Sequence, residues 1–462
     1  LDGSAPCVDG QAEAYRLLIV AVCYDYHRIM PYLFERIDDY TELLMPDDLL
    51  SGNSIVAYTR EAMTPDACKD VEVIGWLYQF YISEKKDEVF AGLKKTKKIT
   101  PENIPAATQL FTPHWIVRYL VENSLGRLWL RNWPGSGLRK QMDYYVEPEQ
   151  AETNFLRVGS PEELKICDPA CGSGHMLTYA FDLLFEIYEE EGYAPEEIPE
   201  RILSCNLYGI EIDERAGDLA AFALTMKARE KQRGFFRKPV QPNICVLENV
   251  RFAENELTDY MNFIGRDLFT APLLETLHQF READNLGSLI RPVVTDVRDV
   301  LELLEKKDVA GQLLLHQIHQ KVLKVLRQAD YLSPKYQVAV ANPPYMGGKG
   351  MNGLLGSWVK DNFPSSKSDL FAVFIERNLE LCLKQGMVGM ITMQSWMFLS
   401  SFEKLRIQLL ARNTITSMAH LGTRAFDSIG GEVVSTTAFV LENKSKESYK
   451  GSYFRLVDYN SE

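Results

Sequence analysis

The chain has 462 residues, 46% of them hydrophobic, which is ample for a large buried core and suggests two or three domains. Its formal net charge of −14 speaks against a surface that binds nucleic acid everywhere, but leaves room for a local basic groove. No apolar run approaches the roughly 20 residues that span a bilayer; the best candidate, Leu17 to Val22, is flanked by Arg16 and Asp25 and reads as a buried helix.

The chain starts at Leu1 rather than Met and has no signal-peptide pattern, so a portion of a longer cytoplasmic protein is expected. Residues 1–105 are predicted to form a helical N-terminal region, with apolar residues at helical spacing in Ala12–Leu33 and Val71–Phe90. From about 109 to 250 the texture changes. Short apolar segments at Leu164–Cys167 and Leu207–Ile212 alternate with helical stretches at Met176–Glu190 and Ala216–Lys231. Strands alternating with helices imply an α/β fold, a doubly wound parallel sheet. Residues 250–333 read as a helical insertion, with a stripe of Leu301, Leu304, Val309, Leu313, Ile318, Val322 and Val325. The strand–helix texture resumes with Gln337–Ala341, helix Leu370–Lys384 and strand Met387–Thr392. Val433–Leu441 and Tyr453–Val457 read as late strands, paired antiparallel at the sheet edge.

The eight cysteines are scattered, and Cys167 and Cys171 lack both zinc-knuckle spacing and a nearby His pair, so reduced thiols and no metal are expected. Two basic stretches stand out. Lys94–Lys98 reads as a solvated face, and the run from Lys227 to Lys238 is a candidate flank for a DNA channel.

The segment Asp168-Pro169-Ala170-Cys171-Gly172-Ser173-Gly174 lies between a strand and a helix. Glycines at 172 and 174 let backbone approach a ligand where a Cβ would collide, and the helix start offers free N–H groups. Taken alone, Gly-x-Gly is an ordinary tight turn; the Asp-Pro context makes it more specific. The next strand ends at Glu211, placed to accept hydrogen bonds from both ribose hydroxyls of a nucleoside. Asp213 is the competing acid and also a good helix N-cap.

Asn342-Pro343-Pro344-Tyr345 follows the strand Val338–Ala341. Consecutive prolines donate no N–H and end the strand, leaving the Asn342 side chain and the Pro343 carbonyl to face a cleft. Two adjacent acceptors suit an amino group whose nitrogen is to attack an electrophilic methyl, and Tyr345 offers a π-face to a planar base.

Together these residues resemble the N6-adenine-specific DNA methyltransferases of the gamma motif order, in which the cofactor motifs precede the catalytic one. The resemblance runs from about 109 to 443. It implies a Rossmann-like methyltransferase domain over 106–462, S-adenosyl-L-methionine as cofactor and double-stranded DNA as partner. It also implies site roles. Phe111-Thr112-Pro113 matches the opening motif, with Thr112 near the cofactor carboxylate; Asp168, Pro169, Gly172 and Gly174 match the glycine turn. Glu211 matches the ribose acid, Ile212 packs on the cofactor adenine, and Asn249 takes the place of an Asp on that adenine's amino group, with Glu248 as the alternative. Phe374 matches the aromatic that covers the adenine. Leu421–Phe426 resembles the segment whose phenylalanine stacks on an extruded base opposite Tyr345. The helical front region and Gly287-Ser288-Leu289-Ile290 resemble the methylases of bacteriophage-exclusion (BREX/Pgl) systems, which suggests defence-system or restriction–modification subunits as partners. The family's target-recognition domain is expected to follow Glu462. Two other readings stand beside this one: a protein glutamine-amide methyltransferase, which shares Asn-Pro-Pro-Tyr, and a noncatalytic scaffold that binds cofactor or DNA.

Overall fold

The computed structural model describes residues 9–34, 45–69, 71–94, 97–149, 152–265, 270–294, 296–307, 309, 313–333, 335–423, 425–426 and 434–458. Its strands are β1 (Ile166–Asp168), β2 (Leu207–Glu211), β3 (Asn243–Val246), β4 (Tyr336–Ala341), β5 (Cys382–Met393), β6 (Thr414–Gly422), β7 (Thr436–Glu442) and β8 (Ser452–Arg455). They form one sheet in the order β3-β2-β1-β4-β5-β7-β6-β8. Strands β3 to β5 run parallel, β7 lies antiparallel between β5 and β6, and β8 runs parallel to β6. The order is Rossmann-like. The chain winds outward from β1 through β2 and β3, then returns to β4 on the other side of β1. That reversal opens a crevice at the carboxyl ends of β1 and β4.

The helices that matter for the site are α1 (Gly10–Ile29), α2 (Glu72–Lys94), α3 (His175–Glu190), α4 (Glu214–Lys231), α5 (Leu313–Tyr331) and α6 (Leu370–Leu381). β4 shows why two layers of helix are required. Val338 and Val340 join the core that holds α3, while Ala339 and Ala341 join the core that holds α5 and α6. Successive strand residues face opposite sides, so a strand buried on both faces reads as one apolar run. Leu177, Phe181 and Leu184 are fully buried on α3, each contributing roughly 1.5–3 kcal/mol relative to exposure. Asp213 accepts the Arg215 N–H at 3.0 Å and so caps α4.

The structure corrects one expectation and adds detail to two others. The late strands do not pair with each other: β7 is central and buried at all seven positions, and β8 adds outside β6. The strand β6 itself escaped the sequence reading, because Thr414-Ile415-Thr416-Ser417 alternates too little apolar character to stand out. The long helical stripe is two helices, Val297–Glu305 and α5, and Leu313 at the start of α5 is 77% exposed. Among the described residues no helix is long and apolar enough to cross a membrane.

Candidate cofactor and catalytic site

β1 ends at Asp168, and the chain turns into α3 through Gly172 (φ 52°) and Gly174 (φ 84°). Both lie in the left-handed region that disfavours side chains. A Cβ on Gly174 would also sit 3.0 Å from the Ala220 side chain and 3.1 Å from its backbone, so α3 and α4 close on this glycine. The turn borders a cavity of about 1070 Å³, its open mouth included. Thr112, Asp168, Pro169, Gly172, Glu211, Ile212, Asn342 and Phe374 all line it.

Glu211, at the tip of β2, spans the turn. One oxygen accepts the Gly172 N–H at 2.8 Å; the other accepts the N–H groups of Ile212 at 2.8 Å and Asp213 at 3.1 Å. Oε1 thus uses both of its lone pairs, and Oε2 keeps one for a ligand hydroxyl. Burial raises the Glu211 pKa against these three stabilising bonds. Asp168 accepts the Ala170 N–H at 3.1 Å. Burial pushes its carboxyl up to about 8; the Ala170 bond opposes this, and the charge of Glu211 adds to it. Ile212, Leu247 and Phe374 supply apolar walls.

Across the crevice, β4 delivers Asn342. Its Nδ2 donates to the Leu110 carbonyl at 3.1 Å and to Thr112 Oγ1 at 3.0 Å. A carbonyl can only accept, so the amide nitrogen must face Leu110, and the orientation of the oxygen follows. That oxygen, Oδ1, is buried and has no partner among the described residues. An unpaired buried acceptor costs roughly 1–3 kcal/mol. Tyr345 is partly buried, packs edge-on to Phe371 with centroids 6.1 Å apart, and donates its hydroxyl to the Ile391 carbonyl at 3.3 Å. Burial raises the phenol's pKa strongly, so it remains a neutral donor.

Some expected residues fall elsewhere. Gly174, Pro343 and Tyr345 do not line the cavity, although all three adjoin residues that do. Asn249 is corrected: it lies off the cavity, and its Oδ1 accepts the Asp284 N–H at 3.1 Å. The wall position beyond β3 belongs to Leu247. Glu248, the alternative, points away to Lys324 at 2.6 Å. Phe426 is corrected as well. It packs on the α3-side core, whereas Tyr345 packs on the α6-side core, so the structure does not bring the two rings face to face. Arg424 in the same segment lies outside the described residues.

Three contributors were not read from the sequence. The first is α2, which roofs the cavity. Gln79 Oε1 accepts the Phe111 N–H at 3.2 Å, and a Cβ on Gly75 would strike the Phe111 ring at 2.6 Å. The second is Arg377. This buried side chain donates to the carbonyls of Ser288, Ile290 and Leu332 at 2.7, 2.8 and 2.7 Å. Burial draws its pKa down to about 10, so it stays charged at neutral pH. It thereby fixes the Gly287–Leu289 turn against the cavity, where Ser288 donates to the Pro169 carbonyl. The third is Asp369, which accepts the Met346 N–H at 2.9 Å and braces the turn after Tyr345. A signal for Asp369 existed, since it is also the N-cap of α6. Gln79 and Arg377 have no comparable local signature.

Comparison with known proteins matches residues 205–426 to the Eco57I restriction-modification methylase family and residues 156–241 to the MmeI DNA-methyltransferase domain. The adenine-specific methyltransferase BrxX of Escherichia coli O9:H4 (strain HS) is 44% identical over 484 residues, covering 98% of this chain and 40% of BrxX. The adenine-specific methyltransferase PglX of Lacticaseibacillus casei (strain Zhang) is 38% identical over 473 residues, covering 97% of this chain and 39% of PglX. The chain is similar to these adenine-specific methyltransferases over nearly all of its own length. It spans about two fifths of the length of these two relatives. A more distant relative, the type II restriction enzyme and methyltransferase RM.Eco57I of Escherichia coli, is 23% identical over 410 residues, covering 84% of this chain and 33% of RM.Eco57I.

Proposed function

We propose that this chain is the catalytic portion of an enzyme that moves a methyl group from S-adenosylmethionine to the N6 amino group of adenine in double-stranded DNA. The observation that carries the reading is Asn342. Its amide is locked by Leu110 and Thr112, which leaves a buried acceptor at the wall of the cavity beside the glycine turn. Glu211 and Asp168 suit the hydroxyl and ammonium groups of the cofactor, and Ile212, Leu247 and Phe374 suit its adenine. When bound, the cofactor supplies an electrophilic methyl on a sulfonium centre, so the chain needs no nucleophile of its own.

The chain's own task is to hold the target amine. Asn342 Oδ1 accepts one amino hydrogen and the Pro343 carbonyl the other. Both acceptors stabilise the positive charge that grows on nitrogen as it bonds to carbon. An adenine stacked in duplex cannot present its amine to this crevice, so it is extruded, and Tyr345 receives it. The helical region 1–105 and the domain 106–462, with its insertion at 250–333, work as one catalytic unit. Such an enzyme acts in the cytoplasm beside chromosomal DNA, with further subunits of a phage-defence or restriction–modification system as partners.

The test is transfer of tritium from labelled cofactor to DNA, followed by digestion to nucleosides. Label in N6-methyladenine supports the reading. Label confined to protein glutamine, or cofactor binding with no transfer to any substrate, overturns it.

A further inference from the structure

The basic run Lys227–Lys238 has no part in the site above. Three of its lysines are engaged. Lys227 pairs with Asp182 at 2.7 Å, Lys231 lies over the Phe185 ring at 4.7 Å, and Lys238 approaches Glu200 at 3.9 Å. The arginines behave differently. Arg229, Arg233 and Arg237 join Arg28 of α1 around an open concavity between α1 and the end of α4. Asp25 is the one acid lining it, and Asp25 pairs with Arg28 at 3.2 Å. Arg233 and Arg237 are exposed and make no ion pair or side-chain hydrogen bond among the described residues. Two aromatic rings form the floor: Phe236 lies 5.4 Å beneath the Arg229 guanidinium, and Tyr26 meets it edge-on at 6.4 Å.

The position is informative. α4 leaves the crevice just after Glu211 and runs 18 residues to Lys231, which is about 27 Å. The end of α1 is tied there as well, its Ile29 carbonyl accepting Gln241 Nε2 at 3.1 Å ahead of β3. The concavity therefore sits at the edge of the sheet opposite the cofactor.

We propose that this concavity binds the phosphodiester backbone of DNA away from the target base, a proposal that rests on DNA being the substrate. Guanidinium forks match phosphate oxygens in a bidentate way. A cluster of such cations on one open face is the footprint of phosphate-backbone binding, and it makes affinity fall with salt. The four arginines leave three positive charges in excess of Asp25, in a chain whose net charge is −14. A duplex reaching from crevice to concavity covers about eight base pairs at ~3.4 Å each.

The experiment is binding of a labelled duplex several helical turns long to the full chain, titrated against salt, for wild type and Arg233→Gln/Arg237→Gln. Each phosphate left without its arginine lowers the log–log salt slope by about 0.9, so the double variant should lower it by about 1.8. Cofactor affinity, and methyl transfer at saturating DNA, should stay at wild-type levels. An unchanged slope overturns the proposal. So does a variant that loses sodium tripolyphosphate or polyglutamate binding while its duplex curve is unchanged, since that marks a small-anion or acidic-protein site. The two readings separate cleanly. A wild-type chain that methylates DNA beside a variant with unaltered binding sinks the concavity alone. A chain that binds duplex through these arginines but methylates nothing sinks the catalytic reading alone.

Discussion

At the β1–β2 end of the crevice both acids, Asp168 and Glu211, already hold backbone N–H groups, whereas at the β4 end Asn342 Oδ1 has no partner among the described residues. The first arrangement shapes a loop before any ligand arrives. The second keeps an acceptor open at a cost, which is the pattern expected where charge develops during a reaction. The cofactor end should therefore tolerate change with graded losses of affinity. The β4 end should lose rate while keeping its affinity for cofactor.

The sharpest way to break this contrast is Asn342→Ala. Single-turnover methyl transfer should fall about 10²–10³-fold, with calorimetric cofactor affinity unchanged; an equal loss in both would erase the distinction between the ends. Next is Glu211→Ala. It removes the acceptor proposed for ribose and also frees three backbone N–H groups. Cofactor affinity should drop by roughly 1.5–3 kcal/mol for each charge-assisted bond removed. Wild-type affinity in titration calorimetry would remove Glu211 from the site.

A third, smaller effect is set by pH. The Asp168 carboxyl titrates near 8 in the folded chain against an ordinary 3.8. It is therefore protonated at pH 7 in the empty site, and a cationic ammonium beside it favours ionisation. Cofactor binding at pH 7 should release a proton, and affinity should rise between pH 6 and 8 by at most about tenfold per unit. Asp168→Asn should flatten the profile. By the same linkage, the raised folded value costs nothing below about 4, and stability falls as pH climbs from there to about 8, where the loss is complete. Thermal melts across that range, with and without cofactor, measure it. The smallest effect expected is Asn249→Ala, which should change cofactor affinity by no more than about 0.5 kcal/mol, because its amide oxygen caps Asp284 instead of facing the cavity. A large loss would restore the role that sequence alone suggested for it.

Legibility in the sequence followed the range of the forces involved. Gly172, Gly174, Pro343 and Pro344 are dictated by backbone geometry within a few residues, so the turn and the strand end could be read directly. The parallel run of the first five strands followed from alternation of strand and helix, whereas their order in the sheet did not. Contacts between distant segments left no such trace. Nothing around Gln79 announces a partner at Phe111, 32 residues later, and Arg377 meets Ser288 across 89 residues. Phe426 was placed by likeness of its segment to a family motif, yet what decides its surroundings is the core on which β6 folds.

One consequence of the roof formed by α2 concerns protein engineering. A minimal version of this fold cut just ahead of the sheet, at the usual border of a nucleotide-binding domain, would remove the helix that holds Phe111 and covers the glycine turn. Such a fragment would keep the eight described strands and the motifs from Asp168 onward, but would lose Phe111-Thr112-Pro113 and with it the Thr112 contact to Asn342. Its cavity would be open to water on the α2 side. Portability of this catalytic unit, whether into chimaeras or onto new recognition modules, thus begins at the front helices rather than at β1.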